Sequence, residues 1–134
     1  MKLRPVAVPV HKHLIIRAEV QLPPLDPEFV IEWLRDTVVS IGMKVLSGPH
    51  AAYVDVPGNE GVTGVVIIET SHLALHVWDH QDPPLLQLDV YTCGDFNPQI
   101  IFDKLKEFHP TKIEHKYLDR EHSLKEISLG DAHE

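Results

Sequence analysis

Four side chains within two short stretches of this sequence can do chemistry. In Gly61-Val62-Thr63-Gly64-Val65-Val66-Ile67-Ile68-Glu69-Thr70-Ser71-His72-Leu73-Ala74-Leu75-His76-Val77-Trp78, a serine hydroxyl is followed by the imidazoles of His72 and His76. The chain's single thiol, Cys93, follows in Leu88-Asp89-Val90-Tyr91-Thr92-Cys93-Gly94. A hydroxyl is a weak nucleophile that needs positioning and a base nearby. A thiol whose pKa stays near neutrality is a suitable proton donor. Taken singly, each residue also has a plain reading: Ser71 as a turn residue between strands, His76 as a partly buried histidine, Cys93 as a small core residue. Trp78 and Tyr91 read as core. His72 and His76 resemble a His-x-x-x-His metal pair, a spacing that works on a helix. On a strand the two lie about 13 Å apart and cannot share a zinc held at about 2 Å from each ligand. His11-Lys12-His13 has no local third ligand, so no metal site is expected.

These residues must be positioned by the elements around them. His13 to Val20 alternates, with Leu14, Ile16, Ala18 and Val20 on one side, as in a half-buried strand. Pro23-Pro24 breaks it. Asp26-Pro27-Glu28 starts a helix, with an acid at the cap and proline at the first position. Phe29, Val30, Trp33, Leu34, Val38 and Ile41 form its apolar stripe, and Gly42 stops it. A short strand over 43–46, a turn at Ser47-Gly48-Pro49 and a further strand over 51–56 follow. Val62 to Glu69 is nearly continuously apolar, as in a strand buried on both faces. With almost no spacer, His72 to Trp78 forms the next strand, and Leu85 to Tyr91 another. Asn97-Pro98 caps a second amphipathic helix carrying Ile100, Ile101, Leu105 and Phe108. Lys112 to Leu118 reads as a last strand. Residues 1–10 read as extended, and the charged tail from Asp119 as fraying. Hairpins dominate over strand–helix alternation. The expected class is therefore α+β, a two-layer sandwich with a largely antiparallel sheet and two main helices on one face.

Composition narrows the partners. The 134 residues fit a single domain, 1–134, with its own core. Twelve Lys+Arg against 20 Asp+Glu leave a net charge of −8, which argues against binding a phosphate backbone or anionic lipid. One cysteine cannot form an intrachain disulfide, and the longest fully apolar run is far short of the roughly 20 residues of a membrane span. A cytoplasmic protein with no nucleic-acid or membrane partner is the expectation.

Taken together, the two stretches resemble the S-adenosylmethionine decarboxylase proenzyme family in its short prokaryotic, pyruvoyl-dependent form. That family's pattern runs Gly-Val-Ser-Gly, an apolar strand, Glu-Ser-His-Leu-x-Ile-His-Thr-Trp, then Asp-x-Phe-Thr-Cys-Gly. The resemblance covers residues 61–108 well, and His13-Leu14 and the first helix fit in order. It implies a chain that cuts itself between Thr70 and Ser71. The Ser71 hydroxyl attacks the preceding carbonyl in an N-to-O acyl shift, elimination releases residues 1–70, and loss of ammonia leaves a pyruvoyl group heading 71–134. His76 matches the family's processing base. The pyruvoyl carbonyl takes the substrate amine as a Schiff base and serves as electron sink, and Cys93 matches the family's proton donor. Thr63, Glu69 and His72 are supporting residues. The resemblance also implies a homodimer of processed chains, with the sheet or its edges as interface, and a role in polyamine and spermidine synthesis.

Three departures stand out. Thr70 occupies the family's Glu position, with Glu69 one place upstream. The acyl shift needs the carbonyl of residue 70 and not its side chain, so cleavage stays possible. Thr63 replaces serine and keeps the hydroxyl with a stiffer χ1. Asp55 stands two residues before Pro57, where the family tends to place an aromatic suited to stacking on adenine. A carboxylate there favours an amine or guanidinium, which opens a basic amino acid, ornithine or arginine, as the alternative substrate to S-adenosylmethionine. A non-cleaving relative that binds a ligand or partner is the alternative of another class.

Overall fold

The computed structural model describes residues 10–130; the expected extended opening segment lies almost wholly outside them. The elements are β1 (Lys12–Val20), α1 (Pro27–Ser40), β2 (Val45–Val54), β3 (Gly61–Ile68), β4 (Ser71–Trp78), β5 (Leu85–Thr92), α2 (Pro98–Leu105), a 3₁₀ turn (Lys106–Phe108), β6 (Pro110–Asp119) and β7 (Lys125–Glu126). They build one seven-stranded antiparallel sheet in the order β2-β3-β4-β5-β1-β6-β7. Consecutive hairpins lay down β2 to β5, and β1 slots between β5 and β6. This is the expected α+β sandwich.

Both helices start as their cap residues dictate. The Asp26 carboxylate accepts from the Glu28 N–H, and the Asn97 side chain accepts from the Gln99 N–H, each at 3.0 Å and each followed by proline. Gly42, at φ 79, ends the first helix with its N–H on the Val39 carbonyl. The helices cover one sheet face. Val30 and Leu34 reach down to Gly64, where a Cβ would meet Val30 Cγ1 at 2.7 Å, so only glycine lets α1 sit this close to β3. Trp33 bridges the helices, packing on Phe108 and under the Lys104 ammonium. Leu14, Ile16, Ala18, Val66, Leu73, Leu75, Leu86, Leu88 and Val90 fill the layer between.

Four expectations need correction. The predicted strands over 43–46 and 51–56 are one strand: Ser47-Gly48-Pro49 is a bulged stretch of β2, whose register on β3 shifts around Ser47. β3 is not buried on both faces; Val65 and Ile67 are exposed on the face away from the helices. Its β-branched run reflects strand propensity as much as burial. Phe29, placed on the buried stripe, is 44% exposed. The tail does not fray at Asp119: β7 pairs with β6, the Ile127 N–H donates to the Tyr117 carbonyl at 2.7 Å, and Ile127 and Leu129 pack against the core.

Candidate active site

Ser71 opens β4 directly after a two-residue hairpin connection. Ile68 pairs with Ser71, leaving Glu69 and Thr70 at the tip. The Ser71 side chain falls on the parity of Leu73 and Leu75, toward the helices, and is 8% exposed. The Glu69 carbonyl gathers the local donors. It accepts from the Thr70 hydroxyl at 2.6 Å, the Cys93 thiol at 3.1 Å and the Ser71 hydroxyl at 3.4 Å. Cys93 arrives just past the end of β5, where the Thr92 hydroxyl bonds the Gly94 carbonyl at 2.7 Å and fixes the turn. Ser71 and Cys93, 22 residues apart in sequence, are thus tied to one carbonyl, and the cysteine is held as a donating thiol. The useful atom of Glu69 is its backbone oxygen; its side chain is exposed.

His76 is not part of this group. It lies five residues along β4, an odd number, and so on the opposite, helix-free face, about 16 Å from Ser71 at the strand rise. There it is exposed and paired with Thr63, whose hydroxyl is hydrogen-bonded to His76 Nδ1 at 2.5 Å across the β3–β4 register. Thr63, a supporting residue by the resemblance, is thus hydrogen-bonded to His76. Asp55, exposed just beyond β2, also lies at the Gly61–Trp78 end of the sheet, away from Ser71.

The helix-free face carries a second cluster near the Ser71 end. The ladder sets His13, Tyr91 and His72 in one transverse row. The Arg120 guanidinium lies 4.1 Å from the Tyr91 ring centroid and donates to His13 Nδ1 at 3.1 Å. That leaves the His13 proton on Nε2, which hydrogen-bonds Asp89; His72 Nε2 reaches the other Asp89 oxygen at 3.5 Å. Burial pushes the Asp89 carboxyl up, but the hydrogen bonds from His13 and His72 outweigh it and hold the group below the ordinary aspartate range. Tyr91 and Trp78, expected in the core, are half-buried on or beside this open face, with the Trp78 indole N–H on Asn59. His13, Asp89 and Arg120 were not singled out from sequence. The signal was present in part, since His13 is the polar start of an alternating strand and Asp89 the acid two residues before Tyr91 in another.

At the far end Tyr53, Asp79, His80 and Glu60 form a polar group. The Tyr53 hydroxyl donates to Asp79 at 2.9 Å, and His80 lies between Asp79 and Glu60. Between the two ends, Ala74 floors a depression of about 240 Å³ bordered by His13, His76, Gln87 and Asp89.

A helix-backed antiparallel sheet with a serine and a thiol meeting at one hairpin tip defines a narrow class. The S-adenosylmethionine decarboxylase family model matches residues 21–121, and the chain belongs to that family. Across 93 residues it is 37% identical to the arginine decarboxylase proenzyme of Aeropyrum pernix, covering 66% of this chain and 69% of that protein. It is 40% identical over 62 residues to the S-adenosylmethionine decarboxylase proenzyme of Archaeoglobus fulgidus, covering 45% and 54%. The fold matches the crystal structure of the adenosylmethionine decarboxylase from Aquifex aeolicus with a TM-score of 0.67 at 25% identity, over 85% of this chain and 92% of that one. No helix among the described residues is long and apolar enough to cross a membrane.

Proposed function

We propose that this chain is a self-processing, pyruvoyl-dependent decarboxylase of S-adenosylmethionine that cuts between Thr70 and Ser71. The observation that carries this reading is the convergence of Ser71 Oγ and Cys93 Sγ on the Glu69 carbonyl at the hairpin tip. Ser71 is nearly buried, its hydroxyl is adjacent in the chain to the Thr70 carbonyl carbon, and a thiol stands beside it. These surroundings fit a pyruvoyl group formed from Ser71. Once formed, that group supplies an electron sink for loss of carbon dioxide. Cys93 Sγ then holds the proton needed at the carbon that lost the carboxylate, and the closed helix side of the tip limits water there.

The processing base comes from a second copy. His76 cannot reach its own Ser71, and the open face that bears it exposes Ile15, Val65 and Ile67 around Ala74. A two-fold axis lying between two such faces, across the strands at Ala74, brings the His76 end of one copy to the Ser71 end of the other. In that homodimer His76 and Thr63 of each chain come to the open-face side of the other's Thr70–Ser71 tip, and the His13–Tyr91–His72 row, with Asp89 beside it, lines the border.

Asp55 is carried to the same place by the same axis. This supports a second reading, in which the substrate is arginine or another basic amino acid whose cationic end meets the Asp55 carboxylate; the Aeropyrum pernix relative named above is an arginine decarboxylase proenzyme. Turnover of S-adenosylmethionine, ornithine and arginine by the purified, split protein decides between them. Activity on S-adenosylmethionine with none on the amino acids is the expected result; the reverse assigns the basic substrate. The proposed setting for either substrate is a cytoplasmic step of polyamine synthesis.

A further inference from the structure

Thr70 is held in a backbone conformation that its side chain resists. Its φ is 65, in the left-handed region, where a branched Cβ crowds the backbone. The other described non-glycine residues with positive φ are His109, Ser123 and Leu124, none of them branched at Cβ. A two-residue hairpin tip calls for glycine or asparagine at such a position, and this sequence has neither. The tip cannot relax, because it is fastened on several sides. Ile68 pairs with Ser71 across it. The Glu69 N–H donates to the Lys44 carbonyl at 3.3 Å, and the Glu69 carbonyl takes the Cys93 thiol. Thr70's own hydroxyl is bonded back to that same carbonyl at 2.6 Å. Strain of this kind persists only where the surroundings over-determine it.

We propose that Thr70 is a positioning residue for self-cleavage, and that the strain in its backbone drives the acyl shift. This rests on the cleavage reading above. The shift is an isomerisation: the Ser71 Oγ–C bond to the Thr70 carbonyl forms, the Thr70–Ser71 C–N bond breaks, and the hydroxyl proton ends on the freed Ser71 nitrogen. In the amide, residue 70 joins the strand directly through that nitrogen and must stay left-handed to close the hairpin. In the ester it joins through the Ser71 side chain, a longer and freer link, and Thr70 can return to the ordinary region. The strain therefore raises the amide relative to the ester. The side chain of residue 70, which the reaction itself does not use, tunes the rate through the backbone.

The test measures Thr70→Gly in two backgrounds. With Ser71 intact, the rate of chain splitting in freshly made protein is followed by denaturing gel and intact mass. With Ser71→Ala, which cannot split, the melting temperature is measured. Relief of strain predicts splitting at least about fivefold slower than wild type together with a melting temperature raised by about 3 °C. Thr70→Asn, which tolerates the left-handed region without glycine's freedom, moves both in the same directions and serves if the glycine variant is poorly folded. A merely structural role would move the two readouts together, with slower splitting and lower stability. Splitting of both variants as fast as wild type, or an unchanged or lower melting temperature, overturns the proposal while leaving the cleavage reading standing. A wild-type chain that never splits removes the reading and the proposal with it.

Discussion

At the residue scale the site depends on side chains whose types are common and whose placement is not. Cys93 is held as a thiol on the Glu69 carbonyl beside Ser71, so in protein that has split, Cys93→Ser is expected to lower turnover by about a hundredfold or more, the loss of a positioned proton donor, in a steady-state assay. Ser71, His76 and Cys93 stand out in the sequence because their string is unusual as a whole. Strand parity carries their separation into two groups as well, since the five residues from Ser71 to His76 reverse the face. The Asp89 cluster depends on a ladder joining β1, β4 and β5, a long-range pairing that local pattern cannot supply. Asp89 has a linked consequence. Its folded carboxyl titrates below the ordinary value, so it adds stability that is present above about pH 4 and is lost as pH falls through its depressed value. Asp89→Asn is therefore expected to lower the urea midpoint at pH 6, with the gap from wild type closing as pH falls below the ordinary aspartate value and through the depressed one. A gap that stays constant across that range would contradict the pairing.

At the element scale, caps, prolines and apolar patterning locate both helices and the strands β1, β3, β4, β5 and β6, because each is a local signal. Gly48-Pro49 is turn-like chemistry, and the pairing of β2 along β3 overrides it and makes the segment a bulge. The charge of the tail predicts fraying, whereas Ile127 and Leu129 pack against the core and β7 pairs with β6. Glycines mark where elements approach most closely. At Gly61 a Cβ would lie 1.6 Å from the Val77 carbonyl oxygen, so the first residue of β3 can close on the end of β4 only without a side chain. Gly61→Ala is expected to destabilise the fold by about 3 kcal/mol or to displace the β3–β4 hairpin, seen as a lowered melting temperature and slower chain splitting. Alkaline stability reports the other side of the sheet. Burial, with the Asp95 charge behind it, pushes the Tyr117 phenol up to about 12. The unfolded chain ionises near pH 10 while the folded one does not, so stability falls as pH rises from about 10 toward 12. Tyr117→Phe is expected to flatten that decline in a pH series of melts.

At the scale of the whole molecule, one sheet face is covered by helices and the other holds exposed Ile15, Val65 and Ile67 beside the chemistry-bearing histidines. A single chain places the proposed nucleophile and its base at opposite ends of β4, so the proposed function calls for two chains. Coexpression tests this. A tagged His76→Ala chain is expected to stay largely intact alone, and to split when made together with a Ser71→Ala chain that lends its His76. The two variants together remaining intact, while wild type splits, would contradict the shared site. The length of 134 residues then describes a precursor, and the intact mass of the purified wild-type protein tests this most directly. The account predicts two polypeptides, residues 1–70 and 71–134, the second beginning with a carbonyl that borohydride reduces. A single intact chain, or a cut at any other bond, would contradict it.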